Sequence, residues 1–174
     1  IPVWITLGMA VLFAGVGFVD DYAKLIKKQN EGLKAYQKFV LQLLVSTLYI
    51  GAMCALGYMD TVIPIPFTDI KWDLEIAFYP LAVILLVGVD NSVNLTDGID
   101  GLCATVTAVV AAFFAIIGTA LRMPSLGNGI TLFAGALFGG MLGFLVYNWI
   151  PARIFMGDTG SLFLGGMVTG LAFL

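Results

Sequence analysis

The chain has 174 residues, of which 60% are hydrophobic and only 11% charged, with a mean hydropathy of +1.03 and a formal net charge of −3. So little charge cannot cover a soluble domain of this size, and it offers nucleic acid no basic surface. The apolar residues come in runs long enough to cross a bilayer core of about 30 Å, which takes about 20 helical residues, so the composition points to a membrane protein.

In chain order, six apolar runs cover about 2–19, 39–59, 76–93, 101–121, 129–150 and 161–174. Backbone groups in lipid must be satisfied internally, and these runs are too long and continuous for barrel strands. The sequence therefore predicts an all-α polytopic membrane protein with about six transmembrane helices, built as a single transmembrane domain over 1–174. The chain begins at Ile1 and stops at Leu174 inside apolar stretches, so this domain is expected to be truncated at both ends. The first run lacks a basic flank and a small-residue cleavage site, so no signal peptide is expected. Cys54 and Cys103 fall near opposite ends of their spans and are not expected to pair.

Run one leads into GFVDDYAKL, in which Asp20, Asp21 and Lys24 fall within one helical turn. Two adjacent carboxylates raise one another's proton affinity unless a cation compensates them; the motif is either a local ion pair at a solvated helix end or part of a cation site. The loop after run two, about 60–75, contains Pro64 and Pro66 and then alternates from Ile70 to Ile76, which predicts a short strand or hairpin. Asp90 lies near the end of run three. NSVNLTDGIDGL follows, spacing Asn94, Asp97 and Asp100 by three, with Gly98 and Gly101 able to let backbone amides approach a ligand; a capped polar turn is the plainer reading. In run five, Gly135, Gly139 and Gly143 recur every four residues and are expected to let another helix approach closely. After it comes YNWIPARIFMGDTGSLFLGG, where Asn148 closes the run, Pro151 breaks the helix and Asp158 lies in a glycine-flanked turn suited to a hard cation. Ser161 is a candidate N-cap for run six, and Phe155 a candidate ring face for a base or an interfacial anchor.

Alternate crossings put the segments after runs one, three and five on one side, with Lys24, Lys27, Lys28, Lys34, Lys38 and Arg153, against Lys71 and Arg122 on the other. The positive-inside rule makes the first side cytoplasmic and the 60–75 loop extracytoplasmic. Asp20, Asp21, Glu31, Asp97, Asp100 and Asp158 map to the cytoplasmic side as well. With no histidine in the chain, any general base in it is a carboxylate or a lysine. Acids gathered at a membrane boundary suit phosphoryl transfer from a soluble donor to a lipid acceptor. An ion or proton transporter is the reading from another class, but it calls for acids in the middle of spans.

GFVDDYAKL, NSVNLTDGIDG and PARIFMGDTGS, in that order, resemble the motifs of the polyprenyl-phosphate N-acetylhexosamine-1-phosphate transferases. The resemblance covers the whole chain and implies the third to eighth spans of a bundle of about ten. It implies a bacterial plasma-membrane enzyme with a cytoplasmic active site, Mg2+ as cofactor and a homodimer as assembly. The implied donor is UDP-N-acetylmuramoyl-pentapeptide and the acceptor undecaprenyl phosphate, giving lipid I and UMP in peptidoglycan synthesis; Thr96 in NLTDG favours this donor over the N-acetylglucosamine donors of teichoic acid or surface polysaccharide enzymes. The resemblance assigns Asp20 and Asp21 to catalysis and the lipid phosphate, Asp158 to catalysis and magnesium, and Asn94 to the metal through its amide oxygen. It assigns Asp97 and Asp100 to substrate, with Asp100 at the uridine, Phe155 to stacking on uracil, and Asn148 and Lys24 to the pocket lining. The family's histidine-rich motif and an N-terminal lysine-bearing loop are absent from 1–174, and Asp90 stands where the family has a small or hydroxylated residue.

Overall fold

The computed structural model describes residues 1–27, 32–65, 68–120 and 124–174. Lys28, Glu31, Pro66 and Arg122, which entered the reading of sides and loops, lie outside the described residues. Among the described residues six α-helices form: α1 Pro2–Lys27, α2 Ala35–Ala55, α3 Phe78–Thr96, α4 Leu102–Ala120, α5 Pro124–Asn148 and α6 Gly157–Ala172. Five of them, α1 to α5, are long and apolar enough to cross a membrane. The sixth has 16 residues and is the most enclosed, burying a run from Leu164 to Met167 as well as Ser161, Leu162 and Thr169 to Leu171. The expected six runs thus become five helices of spanning length and one shorter helix enclosed by its neighbours.

Helix α6 packs chiefly against α1 and α3, while α4 pairs with α5. One apolar core joins Met9, Phe13 and Val16 of α1, Tyr49 and Met53 of α2, Leu86 of α3 and Leu162 of α6. A second joins Ala10, Cys103, Ala111, Leu137, Leu164 and Met167. Both cysteines are free, as expected. Without a hydrophobic drive between helices in lipid, close approach depends on small residues. On α6 those are Gly165, Gly166 and Gly170: a Cβ on Gly166 would lie 2.8 Å from a Phe13 ring carbon and 3.0 Å from Ala10 Cα. The repeat expected to do this on α5 does not. Gly135, Gly139 and Gly143 lie on its exposed face, opposite buried Ala134 and Leu137, and a Cβ on any of them meets nothing within 4 Å among the described residues. The α4–α5 seam closes at Gly118 instead, whose Cβ would lie 2.8 Å from Gly127 O.

The 60–75 loop carries the expected hairpin. Strand β1, Val62–Pro64, pairs antiparallel with β2, Lys71–Asp73, setting Ile63 opposite Trp72. A single 3-10 turn, Glu75–Ala77, leads into α3. The opposite end of the bundle gathers the C-terminal ends of α1, α3 and α5 with the N-terminal ends of α2, α4 and α6, as the contacts of Lys24 and Asn94 with Asp158 require.

Candidate active site

Helix α1 does not stop where its apolar run stops. It continues through Asp20, Asp21 and Lys24 to Lys27, helped by the Asp20–Lys24 pair, an acid one turn N-terminal to a base. The Lys24 ammonium lies 2.7 Å from Asp20 Oδ2, 3.5 Å from Asp21 Oδ1 and 2.6 Å from Asp158 Oδ2. Asp20 is buried, and its Oδ1 accepts a 2.6 Å hydrogen bond from the Leu33 amide ahead of α2. Asp21 turns to α6: Oδ2 accepts from the Thr159 amide at 2.9 Å and the Thr159 hydroxyl at 2.7 Å, and Oδ1 from the Asp158 amide at 3.3 Å. These are unpaired amides of the first turn of α6, so an anion from α1 caps that helix. Ser161, considered as its cap, lies inside α6 and donates instead to Gly157 O.

Two glycines make these approaches possible. Gly157 opens α6 at φ 64°, the left-handed region, and a Cβ there would sit 2.8 Å from Asp21 Oδ2. Gly17 of α1 lies directly against the Asp158 backbone, where a Cβ has no room.

The Asp158 carboxylate is gripped from three helices. Lys24 reaches it from α1, Lys38 from α2 with Nζ 3.2 Å from Oδ2, and Asn94 from α3 with Nδ2 2.7 Å from Oδ1. Asn94 Nδ2 also donates to Ser161 Oγ at 2.7 Å. Burial opposes the charge of Asp158, but hydrogen bonding with Asp20, Lys24 and Asn94 and the charge of Lys38 outweigh it and hold its carboxyl well below the usual range. One oxygen from each of Asp20, Asp21 and Asp158 lies within 4.8 Å of the other two. Three carboxylates facing two ammonium groups leave the cluster negative, and oxygen-only donors in that span are compatible with a hard divalent cation. Asn94 lies at this centre with its amide nitrogen turned to Asp158, where the expectation had its oxygen turned to a metal.

Asp97 follows the end of α3, half-buried. Burial, then the charges of Asp158 and Asp21, push its carboxyl up to about 6, so it feels the same centre. Asp100 and Asn148 form a second group. Asp100 Oδ2 accepts from the Ala152 amide at 2.9 Å; Asn148, 3% exposed, accepts from the Gly101 amide at 3.0 Å and donates to Ile154 O at 2.8 Å. Both fix the α5–α6 loop, and that loop carries Phe155 with 63% of its surface exposed. The structure therefore brings Asp20, Asp21, Lys24, Asn94 and Asp158 together, sets Asp97 beside them, and uses Asp100 and Asn148 to shape the loop that presents Phe155. Lys38 and Thr159 escaped sequence reasoning as site residues. Lys38 counted only toward sidedness; the usable signal was a lysine with Gln42 one turn on, at the end of an otherwise apolar run.

A family profile described as glycosyl transferase family 4 matches residues 3–174. The chain is 47% identical over 162 residues to the phospho-N-acetylmuramoyl-pentapeptide-transferase of Heliobacterium modesticaldum, covering 93% of this chain and 49% of the relative. It is 46% identical over 172 residues to the protein of that description from Clostridium botulinum strain Eklund 17B, covering 98% and 51%. With that of Bacillus cytotoxicus it shares 43% over 159 residues, covering 91% and 48%. The chain thus spans about half the length of the curated relatives it matches.

Proposed function

The chain belongs to glycosyl transferase family 4, and we propose that it carries the acidic centre of a magnesium-dependent transferase that moves phospho-N-acetylmuramoyl-pentapeptide from its UDP-linked donor to undecaprenyl phosphate, giving lipid I and UMP at the cytoplasmic face of the bacterial plasma membrane. The observation that carries this reading is the convergence of Asp20, Asp21 and Asp158 on one point beside two lysines, at the charged end of an apolar bundle. The relatives named for this reaction support the choice of donor.

A phosphomonoester has a second pKa near 6, so much of the acceptor is already a dianion at neutral pH. In the transfer its oxygen bonds to the β-phosphorus of the donor while the bond from that phosphorus to the UMP oxygen breaks. Asp21, the more open of the α1 pair with 29% side-chain exposure, takes the remaining proton from the acceptor. Asp20, buried and tied to Leu33, holds Lys24. Asp158 and Asp20, with Asp21 alongside, would hold the magnesium ion, whose charge offsets that of the diphosphate. Lys24 and Lys38, turned from carboxylate to phosphate, neutralise the charge of the transferring group. Asp97 lies on the donor side, and Phe155, on the loop anchored by Asp100 and Asn148, meets the uracil ring. A transporter is disfavoured, because these acids form one closed cluster at a helix-bundle end rather than a path through it.

The test is UMP release by the complete protein in detergent with undecaprenyl phosphate and magnesium. Release from UDP-N-acetylmuramoyl-pentapeptide is the expected result. Release only from UDP-N-acetylglucosamine would move the assignment to the hexosamine transferases of surface polysaccharide, and no release from either would end it.

A further inference from the structure

One helical turn deeper than the Asp158 cluster lies a second polar layer that the proposed chemistry does not use. Asp90 of α3 is 0% exposed, within a helix apolar enough to span a membrane. Its Oδ2 accepts a 2.9 Å hydrogen bond from Gln42 Nε2 of α2. Its Oδ1 has no hydrogen-bond partner among the described residues and lies against Gly165 of α6. Gln42 Oε1 accepts in turn from Asn91 Nδ2 at 2.9 Å, and Asn91 also donates to Val87 O. Both ends of the Gln42 amide are therefore fixed.

The register of this layer ties it to the site above. Gln42 is four residues beyond Lys38 on α2, Asp90 four before Asn94 on α3, and Gly165 four beyond Ser161 on α6. Residues four apart share a helix face, so Gln42, Asp90 and Gly165 sit behind Lys38, Asn94 and Ser161, on three helices at once. A buried carboxylate with a single neutral donor is poorly compensated. Lys38, one turn above Gln42 on α2, has its ammonium 3.2 Å from Asp158 Oδ2 and a side chain only 16% exposed. Lys38, Gln42 and Asn91 also line one cavity of about 440 Å³.

We propose that Asp90 is a positioning residue: its negative charge, with the Gln42 amide it orients, holds the Lys38 ammonium beside Asp158. Lys38 is in contact with Asp158, and Asp90 lies one helical turn deeper, joined to α2 through Gln42. What Lys38 then does for a phosphate rests on the proposed transferase reading; where Lys38 is held does not.

The experiment is acylation of Lys38 in the complete protein in detergent by an amine-reactive succinimidyl ester, quantified by peptide mass spectrometry against exposed Lys71. Asp90→Asn keeps the shape and an oxygen for Gln42 and removes only the charge, so a role in packing alone is rescued by it. The expected result is several-fold faster acylation of Lys38 in Asp90→Asn and in the smaller Asp90→Ser, with Ser46→Ala, one turn beyond Gln42, unchanged. In turnover assays Asp90→Asn lowers kcat/KM for the donor several-fold, and adds nothing in a Lys38→Met background. Unchanged Lys38 reactivity in either folded Asp90 variant overturns the proposal. Raised reactivity in a protein that shows no transfer even when unaltered sinks the transferase reading and leaves the positioning role standing.

Discussion

At the scale of single residues, the centre is a balance of charge, and each member's replacement has its own signature. Asp158→Asn keeps the hydrogen bond with Asn94 within reach but strips the anion that Lys24 and Lys38 share. Turnover should fall by orders of magnitude, while a thermal melt in detergent still shows a folded protein; near-normal turnover would remove Asp158 from the chemistry. Asp97 offers a second check, because its carboxyl is raised to about 6 by burial and by the charges of Asp158 and Asp21. A raised carboxyl pKa means the folded protein favours the protonated form, so Asp97 stabilises less as pH rises from the ordinary carboxylate range through about 6. In metal-free protein its carbon-13 carboxyl resonance should titrate near that value, and Asp21→Asn should move the midpoint down by taking away a like charge. No movement would mean burial acts alone. Asp20, Asp21 and Asp158 were legible in the sequence as a group, because three acidic motifs fall on one side and match the family's motifs in order, although each alone reads as well as a solvated helix end or a polar turn. Lys38 was not, since which of six cations bends back into the bundle depends on how α2 is set against α6.

At the scale of helices, the boundaries read from hydropathy missed the functional turns. Hydropathy ends run one near residue 19, yet α1 carries its helix on to Lys27, since an acid–base pair sustains a helix that hydropathy does not record. The glycines show the same gap. A four-residue repeat is visible on α5, but the closer contacts belong to α6, where Gly165, Gly166 and Gly170 follow no such single period. Periodicity names a smooth face; it does not say what lies on it. In the 1–174 chain, Gly166→Ala should cost about 1–3 kcal/mol by forcing α1 and α6 apart. Gly139→Ala should be neutral or gain up to about 1 kcal/mol from helix propensity. Denaturant midpoints in detergent compare the two, and equal losses would show that Gly139 has a close neighbour after all.

At the scale of the whole molecule, the membrane class was legible from run length, while alternation in the 60–75 loop left a strand or a hairpin open and the pairing of β1 with β2 decides it. The sidedness follows from charge alone and predicts that Lys34→Cys is labelled by an impermeant thiol reagent only from the cytoplasm and Lys71→Cys only from outside, in a background with Cys54 and Cys103 replaced. Labelling of both from one side would break the crossing count. Lys24 and Asp158, 2.6 Å apart, are separated by 134 positions in the chain, and Asp21 closes the first turn of α6 from α1. Such pairings form late, after the intervening chain has been placed. A ribosome that has made α1 to α5 has already supplied Lys24, Lys38, Asp20 and Asp21 but not Asp158, the carboxylate on which they meet. The acidic centre therefore has a birth date: it is complete only once α6 has packed against α1 and α3 and brought Asp158 to Lys24.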